Sequence, residues 1–310
     1  MPDQPLSSDL WTVQPAPATG LVILSTDIGY DPDDLFALTA AARTVDNLVV
    51  VTSDEVGGLR AELARRMLDL LGREDVEVLR GVDLGGKRRF LPDPGQDIPD
   101  YIRPTPEEQL EAGGASISRL VDLVFDSTHH PVHWVGCGPM TELAHLLASA
   151  PDAAEQILVT QMGGWLDDYR SPDRAEHNLR TNSLAAGVAL RMLPSPRLVL
   201  ADHTNNPAIR VTPDWDLIRA LDSDHAPEWA RLIGTHFHRW LALGYDGSWM
   251  HDPLTFTAAL AYPFIDFTET RVRIEDDARL YRDPYGRTMR VSETVRYPAF
   301  AEWLHEVISW

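Results

Sequence analysis

The stretch Leu21–Leu38, LVILSTDIGYDPDDLFAL, joins a short apolar run to an apolar segment with helical spacing. It places four aspartates within eight residues: Asp27, Asp31, Asp33 and Asp34. Carboxylates at this density repel one another unless a cation lies among them or water surrounds them. Two interpretations are therefore open at this point. The cluster is either a metal site at the end of a strand or a solvated acidic loop in which one aspartate caps the following helix.

Beyond this stretch, segments typical of strands alternate with segments typical of helices. Leu48–Thr52 is a continuous, mostly β-branched run, as expected for a strand that is buried on both faces. Arg60–Leu71 has the spacing of an amphipathic helix. The alternation then continues through Val76–Leu79, Ser116–Asp126, Pro131–Val135, Met140–Ala148, Gln156–Gln161, Ser183–Met192 and Arg197–Ala201. This order predicts an α/β fold with an open, mostly parallel sheet and helices on both faces.

The pattern changes in the last third of the chain. Pro227–Leu243 is a helical region rich in aromatic residues and histidines. Arg271–Ile274 and Thr288–Ser292 flank a turn-like segment, which predicts a hairpin, and a final helix follows near the C-terminus. Residues 1–20 contain four prolines and no periodicity, so we interpret them as a flexible arm. Without internal repeats or a linker, residues 21–310 are expected to form one domain.

The composition limits the classes of partner. The chain has 310 residues and a formal net charge of −20, from 47 acidic and 27 basic residues. Such a balance disfavours binding to nucleic acid or anionic membranes, and it suits a metal ion or a small ligand. One cysteine, Cys137, excludes an internal disulfide framework and fits a reducing cytoplasm. No apolar run reaches the roughly 20 residues of a membrane helix, and the first residues lack the pattern of a signal peptide.

Three further polar stretches occur near predicted strand ends, where open parallel sheets bind ligands. Gly136–Thr141 can present a bare carbonyl oxygen, which is a good ligand for a hard cation. Met162–Gly164 with Glu176–Asn178 can accept and donate hydrogen bonds to sugar hydroxyls, or can form an Asn-turn before a new helix. Trp249–Pro253 contains a His-Asp pair, which offers an acid or base beside one more carboxylate.

Together these stretches resemble the motifs of the inosine–uridine-preferring nucleoside hydrolase family. Asp27–Asp34 is similar to the family's opening aspartate motif with a two-residue expansion, and Cys137–Glu142 is similar to its Thr-Gly-Pro-Leu-Thr-Asn loop. The remaining motifs follow in the family's order: Met162–Gly164, Glu176–Asn178, Asn182–Ala186 and His251–Pro253. The resemblance spans Leu21 to Ile308. It implies the nucleoside hydrolase fold and hydrolysis of the N-glycosidic bond of a ribonucleoside, or a related N-riboside, to free base and ribose.

The resemblance also implies roles for individual residues. One Ca²⁺ would be held by three carboxylates and one main-chain carbonyl, those of Asp27, Asp34, Asp252 and Cys137. Asp27 would in addition take the proton from water. The implied contacts to the ribose are Asp33, Met162, Arg170, Glu176 and Asn178. His251 is the leading candidate to protonate the departing base, and weaker candidates for contact with the base are His236, His238, Tyr245 and Trp249.

Several departures from the family's pattern bear on this site. Ser25 replaces the usual Asp in a supporting position, and Asp31 is an extra carboxylate, so either Asp31 or Asp33 could contact the sugar. Arg170 lies where many members have an Asn near the 5′ end of the sugar, which would suit a modified or acidic 5′ group. The family's His-Gly loop is missing from residues 91–114. The base preference therefore stays open.

Two alternative functions remain. One is a ribosyl-cleaving enzyme that acts on a specialised ribosylated metabolite, and the other is a non-catalytic calcium- and ribose-binding protein of the same fold. The presence of both Asp27 and His251 disfavours the second. An aspartate-nucleophile phosphatase would need a second Asp where this chain has Gly29. The resemblance further implies a role in purine or pyrimidine salvage, a small-molecule nucleoside substrate and a homo-oligomer, either a dimer or a tetramer.

Overall fold

The computed structural model describes residues 20–129 and 131–310, and only the backbone of Ser127. The predicted N-terminal arm, apart from Gly20, lies outside these residues. The strands are β1 (Leu21–Thr26), β2 (Leu48–Thr52), β3 (Glu77–Leu79), β4 (Val132–Gly136), β5 (Ile157–Met162), β6 (Arg197–Val199), β7 (Arg210–Val211), β8 (Ser248–Trp249), β9 (Ile265–Ile274), β10 (Leu280–Arg282) and β11 (Arg287–Val295). The helices are α1 (Asp33–Thr44), α2 (Leu59–Leu70), α3 (Pro94–Asp97), α4 (Pro106–Phe125), α5 (Thr141–Ser149), α6 (His177–Thr181), α7 (Ser183–Met192), α8 (Ala201–Thr204), α9 (Asp216–Leu221), α10 (Glu228–Ala242), α11 (His251–Ala259) and α12 (Tyr297–Ile308).

One mixed sheet organises the described part of the chain. Its strand order is β10-β9-β11-β6-β5-β4-β1-β2-β3, and all pairs from β11 to β3 are parallel. Strand β9 runs antiparallel to both β10 and β11, while β7 and β8 form a separate antiparallel pair. The prediction of an α/β fold with an open, mostly parallel sheet is confirmed.

Strand β1 shows why the sheet is covered on both faces. All of its residues are buried, and successive side chains of a strand point to opposite faces. Val22 and Leu24 belong to a core with α1, α2, α10, α11 and α12. Leu21 and Ile23 belong to a second core with α4, α5 and α7. Strand β1 thus contributes apolar side chains to the hydrophobic cores on both faces of the sheet.

The C-terminal hairpin is confirmed, with one addition. Strands β9 and β11 pair antiparallel, with Arg271 opposite Thr288, and β10 pairs on the other side of β9. The last helix, α12, buries Phe300, Leu304 and Ile308. No helix among the described residues combines the length and the apolar character required to cross a membrane.

The predicted start of α4 was wrong. The sequence pattern placed it at Ser116, whereas the helix begins at Pro106. The Thr105 hydroxyl accepts a hydrogen bond from the Glu108 N–H at 3.2 Å, and the Glu108 carboxylate accepts one from the Thr105 N–H at 2.7 Å. This reciprocal capping box satisfies the free N–H groups of the first turn. It initiates the helix ten residues before the predicted start.

Candidate active site

A cavity of about 470 Å³ lies at the carboxyl ends of the central parallel strands. Its wall is formed by the loop after β1, by the segment between β5 and α6, and by the start of α11. This is the edge at which open parallel sheets bind ligands. Three of the four polar stretches identified in the sequence line this cavity directly. The fourth, which contains Cys137, contacts a cavity residue through its backbone.

Three buried aspartates form the floor of the cavity. Asp33 and Asp34 occupy the first turn of α1, and Asp252 occupies the first turn of α11. Carboxylate oxygens of the three residues lie within 4.8 Å of one another. Burial, and then the negative charge of the neighbouring aspartates, raise the pKa of each well above its usual value. A cluster of oxygen ligands that repel one another in this way fits a hard cation.

Hydrogen bonds hold this floor in position. The Thr26 hydroxyl donates to the Asp34 carboxylate, and the Asp252 N–H donates to the Asp33 carboxylate at 3.3 Å. Arg60, a buried residue of α2, donates from Nη1 to the carbonyl oxygens of Asp27 and Ile28. No sequence pattern pointed to Arg60, because its side chain crosses from another βα unit. The loop after β1 is therefore fixed from both sides before any ligand binds.

Asp27 lies beside this triad and has a different environment. Its Oδ2 is 3.7 Å from Nε2 of His177. Burial alone would raise the pKa of Asp27, but the His177 ring and the charge of Arg60 outweigh burial, so the pKa lies below its usual value. The compact carboxylate triad thus contains Asp33, whereas the ligand set implied by the resemblance contains Asp27. Among these aspartates, Asp27 is the one that the environment keeps ionised.

Gly138 makes room for Asp27. A Cβ atom at this position would lie 2.3 Å from Oγ of Ser53 and 3.0 Å from Oδ1 of Asp27. Such contacts are far closer than van der Waals distance, so only glycine lets the two loops approach. The Gly-X-Gly-Pro sequence, a weak signal by itself, has this steric explanation.

Cys137 presents its carbonyl oxygen to the site. This oxygen accepts a hydrogen bond from Nδ2 of Asn178 at 2.9 Å, and Asn178 also donates to the Met162 carbonyl at 3.3 Å. The Cys137 side chain is buried, with Sγ 3.8 Å from the main-chain oxygen of Asp252. Burial and the adjacent aspartates raise the pKa of the thiol well above its usual value. At neutral pH the sulfur therefore stays protonated.

Glu176 and Asn178 stand next to each other on the cavity wall. Oε2 of Glu176 accepts hydrogen bonds from the N–H groups of Asn178 at 2.9 Å and Gly164 at 3.4 Å. Burial raises the pKa of Glu176. Asn182 accepts from the N–H of Ala185 at 3.2 Å and caps α7. The alternative of a turn before a new helix is thus correct for the backbone, and it also brings Glu176 and Asn178 into the cavity.

His251 lines the cavity beside Asp252. Its Nδ1 is 2.6 Å from the Thr204 hydroxyl. Burial, followed by the positive charges of Arg170 and His177, lowers the pKa of His251 to about 3. The ring is therefore neutral at pH 7. Asp31 also lines the cavity, where it accepts a hydrogen bond from the Ser248 hydroxyl, and burial raises its pKa to about 6.

The four weaker candidates for base contact lie near the cavity rather than on its wall. His236 is buried and donates from Nε2 to the Tyr30 carbonyl at 3.0 Å, and His238 is exposed and contacts Asp222. Tyr245 stacks on Trp240 with ring centroids 3.8 Å apart. Trp249 lies 5.4 Å below the Arg170 guanidinium. The structure brings none of these four side chains to the described lining of the cavity.

Other residues that the sequence analysis did not name do line the cavity: Tyr30, Trp165, Arg174, His177, Arg180 and Trp240. Two of them lay within motifs that had been quoted. His177 stands between Glu176 and Asn178, and Tyr30 stands inside the opening aspartate stretch. A histidine between two sugar-binding candidates was thus the available signal. The aromatic lining residues Trp165 and Trp240 had no signal beyond the general aromatic content of their regions.

Comparison with known proteins identifies the family of this chain. The family model of the inosine-uridine preferring nucleoside hydrolase matches residues 22–302. The pyrimidine-specific ribonucleoside hydrolase RihA of Photobacterium profundum is 26% identical over 245 residues, which cover 76% of this chain and 77% of the relative. RihA of Shewanella oneidensis is 27% identical over 270 residues, which cover 84% of this chain and 83% of the relative.

Solved structures show the same fold. A plant nucleoside hydrolase, PpNRh1, superposes with a TM-score of 0.73 at 19% identity, covering 94% of this chain and 99% of the other. A purine-preferring ribonucleoside hydrolase from Gardnerella vaginalis gives a TM-score of 0.72 at 20% identity, covering 93% and 97%. The family model spans nearly the entire described chain, and the motifs that carry the resemblance meet in one cavity. The chain therefore belongs to the inosine-uridine preferring nucleoside hydrolase family and is a hydrolase of the N-glycosidic bond of nucleosides.

Proposed function

We propose that this enzyme hydrolyses a ribonucleoside or related N-riboside to free base and ribose with one Ca²⁺ and with Asp27 as the general base. The observation that carries the proposal is the buried triad of Asp33, Asp34 and Asp252 on the floor of the cavity. Three carboxylates whose pKa values are raised by burial and by one another are costly to ionise alone. A divalent cation would offset that cost.

The donor set favours a hard cation such as calcium over zinc. The proposed ligands are Asp27, Asp34, Asp252 and the carbonyl oxygen of Cys137, with Asp33 alongside. All are oxygen atoms, which calcium prefers, whereas zinc prefers nitrogen and sulfur. The buried Cys137 thiol stays protonated and does not offer a thiolate. When bound, the ion would supply positive charge that acidifies water and holds the ribose hydroxyls.

Asp27 has the properties of the proton acceptor. It lines the cavity, and the nearby His177 and Arg60 keep its pKa below the usual value despite its burial. An ionised carboxylate can take a proton at neutral pH, while the raised pKa values of the triad make those residues poorer candidates without a cation. Position and ionisation state therefore support Asp27 as the base.

The remaining carboxylates suit the charge that develops on the sugar. Cleavage of an N-glycosidic bond passes through an oxocarbenium-like sugar, and negative groups stabilise this cation more than the neutral ground state. We assign Asp33, Met162, Glu176 and Asn178 to contacts with the ribose, and Arg170 to its 5′ side. Glu176 and Asn178 are buried and held by hydrogen bonds, so they are preorganised for this role.

His251 is the proposed donor to the departing base. Its pKa of about 3 makes the ring neutral at pH 7, so its proton is held by a neutral imidazole. In the proposed tautomer the Thr204 hydroxyl donates to Nδ1, and Nε2 then carries the N–H. That N–H can donate a hydrogen bond to the departing ring nitrogen and stabilise the negative charge that develops there, while the proton that the base finally takes comes from the attacking water. Tyr30 and Trp240, which line the same cavity, offer aromatic surface for the base.

The wider assignments follow the sequence analysis. We propose nucleoside salvage in the cytoplasm and a homo-oligomer, either a dimer or a tetramer. The relatives named above include both pyrimidine-specific and purine-preferring enzymes, so the preferred base is left to experiment. The alternative of a specialised ribosylated metabolite is supported by Arg170 on the cavity wall.

The test is a panel of adenosine, guanosine, inosine, cytidine and uridine, with free ribose as the readout. The protein is first stripped of metal with a chelator and then assayed with and without added calcium. We expect ribose release from at least one nucleoside, loss of release after chelation and recovery with calcium. A calcium-loaded, folded protein that binds nucleosides but cleaves neither them nor any related N-riboside would establish the non-catalytic alternative instead.

A further inference from the structure

Three arginines line the cavity of a strongly acidic protein. The chain carries a net charge of −20, yet Arg170, Arg174 and Arg180 share one cavity wall. All three belong to the segment that connects β5 to α7. Arg170 donates to the Asn205 carbonyl at 3.4 Å, and Nη2 of Arg180 lies 3.2 Å from the His177 ring. No carboxylate of a described residue forms an ion pair with any of the three.

The positive charges on this wall affect one another, as the pKa of Arg180 shows. Partial burial, followed by the charge of Arg174, lowers the pKa of Arg180; the carboxylate of Glu176 opposes this shift, and Arg89 adds to it. Arg89 lies 5.0 Å over the ring of Tyr30, which also lines the cavity. Guanidinium groups placed close together without carboxylate partners repel one another. An anion that binds between them would remove this repulsion.

A second observation on the same cavity points to a ligand rich in hydrogen-bond acceptors. Trp165 lines the cavity and is only 8% exposed, and its indole Nε1 is buried without a hydrogen-bond partner among the described residues. Buried indole N–H groups normally have an acceptor, because an unpaired donor is costly. An oxygen-rich ligand group in the cavity would supply one.

The cavity thus has two sides of opposite charge. The aspartates of α1 and α11 form an acidic floor, and the segment after β5 forms a basic wall. Glu176 and Asn178, the proposed ribose contacts, lie between Arg174 and Arg180 in the sequence. Glu176, Asn178 and the three arginines line the same cavity, so a ribose held by Glu176 and Asn178 would share that cavity with the arginines. Guanidinium groups bind phosphate through paired, charge-assisted hydrogen bonds.

We propose that the substrate is an N-riboside with a 5′-phosphate, bound through Arg174 and Arg180 with support from Arg170. This inference rests on the proposed function of the same site. The C1′–N bond breaks, the oxygen of water bonds to C1′, and one proton of that water ends on the departing base. The products are the free base and ribose 5-phosphate.

The first test measures binding by calorimetry on the calcium-loaded full chain, with ribose 5-phosphate and ribose as probes. We expect ribose 5-phosphate to bind at least about tenfold more tightly, from two or more charge-assisted hydrogen bonds. In the double variant Arg174→Gln/Arg180→Gln this advantage should fall below about threefold. Arg271→Gln, an exposed arginine of β9, is the matched control and should keep it. Equal binding of the two sugars by the natural chain overturns the inference.

The second test compares rates for each common ribonucleoside with its 5′-monophosphate, and for uridine with orotidine, whose carboxylate is on the base. We expect kcat/KM to favour the monophosphates at least about tenfold, and the double variant to reduce this ratio. A preference for orotidine would overturn the 5′ assignment. Cleavage of nucleosides alone refutes this inference and leaves the proposed function intact. Tight binding of ribose 5-phosphate without cleavage of any riboside supports the phosphate site and refutes the hydrolase mechanism.

Discussion

The two ends of strands β4, β5 and β6 open into cavities of different chemistry. The cavity at the carboxyl ends has about 470 Å³ and contains the aspartate triad. The cavity at the amino ends is larger, about 710 Å³, and is lined by residues such as Pro131, Ile157 and Leu158. Its polar side chains, including His133 and Glu155, form no carboxylate cluster within the described residues. Cavity volume alone would therefore point to the amino ends of the strands and miss the cavity that contains the aspartate triad.

The direction of the helices explains this difference. In every βα unit the helix begins at the carboxyl end of the strand, so its positive N-terminal end faces that edge. Asp33 and Asp34 lie in the first turn of α1, and Asp252 lies in the first turn of α11. Helix C-termini, which are negative, face the amino edge and would disfavour buried carboxylates. The comparison teaches that a parallel sheet can concentrate acidic groups at only one of its ends.

The largest expected effect tests whether chemistry is confined to the carboxyl end. Asp27→Asn removes the proposed base and a proposed ligand, so kcat should fall by more than about 10³-fold. Loss of a general base alone costs about 10²–10⁴-fold, and loss of the metal would add to that decrease. Glu155→Gln, an acidic residue of the amino-end cavity, is the control and should keep kcat within about twofold. Steady-state ribose release measures both. Comparable losses in the two variants would refute the distinction between the ends.

The second-largest expected effect distinguishes His251 in the carboxyl-end cavity from His133 in the amino-end cavity. His251→Ala should slow natural nucleosides by about 10²–10³-fold, because the departing ring nitrogen loses the hydrogen bond that stabilises its developing negative charge. A p-nitrophenyl riboside leaves as a stable phenolate without protonation, so its rate should be nearly spared. His133→Ala, in the amino-end cavity, should leave both rates within about twofold. If His251→Ala slows both substrates equally, the residue shapes the metal site and does not donate a hydrogen bond to the departing base.

A third prediction concerns calcium and pH. The triad's pKa values are raised in the folded state by burial and mutual repulsion. The stability that these groups contribute is present below their unfolded pKa and is lost as pH rises through the folded values. The metal-free protein should therefore lose stability between pH 5 and pH 8. The Asp27 pKa is lowered, so its contribution is constant over this window.

Calcium binds the ionised carboxylates, so its stabilising effect should be greater at pH 8 than at pH 5. At a hundred times Kd, linkage gives about 2.7 kcal/mol, which corresponds to a rise in Tm of about 5 °C. Thermal unfolding with calcium and with chelator at both pH values is the measurement. Glu142, whose pKa burial raises to about 8, affects both series equally and cancels in the difference. An equal or greater calcium effect at pH 5 would contradict the assignment.

The smallest effect is expected at Cys137. Cys137→Ser keeps the main-chain carbonyl, so calcium affinity should change by less than about threefold. Stability should fall by about 1 kcal/mol, because a buried thiol is replaced by a hydroxyl that needs a partner. Calcium titration by calorimetry and urea unfolding measure the two quantities. Complete loss of calcium binding in this variant would indicate a sulfur ligand and a softer metal.

The sequence predicted the elements whose local pattern agrees with their tertiary setting. The buried runs of β1 and β2 are apolar along their whole length, so periodicity found them directly. The start of α4 was missed because the capping box of Thr105 and Glu108 begins the helix before its apolar periodicity becomes clear. The position of β10 on the outer side of β9 was also missed, since strand order depends on packing between distant segments.

The site was predictable to a similar degree. The residue types and their strand-end positions brought Asp27, Asp33, Asp34, Glu176 and Asn178 to one cavity, as expected. Which carboxylates point at one another was not predictable, because side-chain direction in a loop depends on contacts such as that from Arg60. The hydrogen bond between His251 and Thr204 also joins segments far apart in sequence. Sequence spacing carries no information on such pairs.

The packing of α12 against α1 has a consequence for folding during synthesis of the chain. Leu35 and Phe36 of α1 share a core with Phe300 and Leu304 of α12, and β11 pairs directly with β6. A growing chain on the ribosome thus exposes the apolar side of α1 until α12 has been synthesised. During that interval this surface is available to chaperones or to aggregation. Because Asp252 follows β6 in the chain, the proposed calcium ligands are complete only after β1 to β6 have been synthesised.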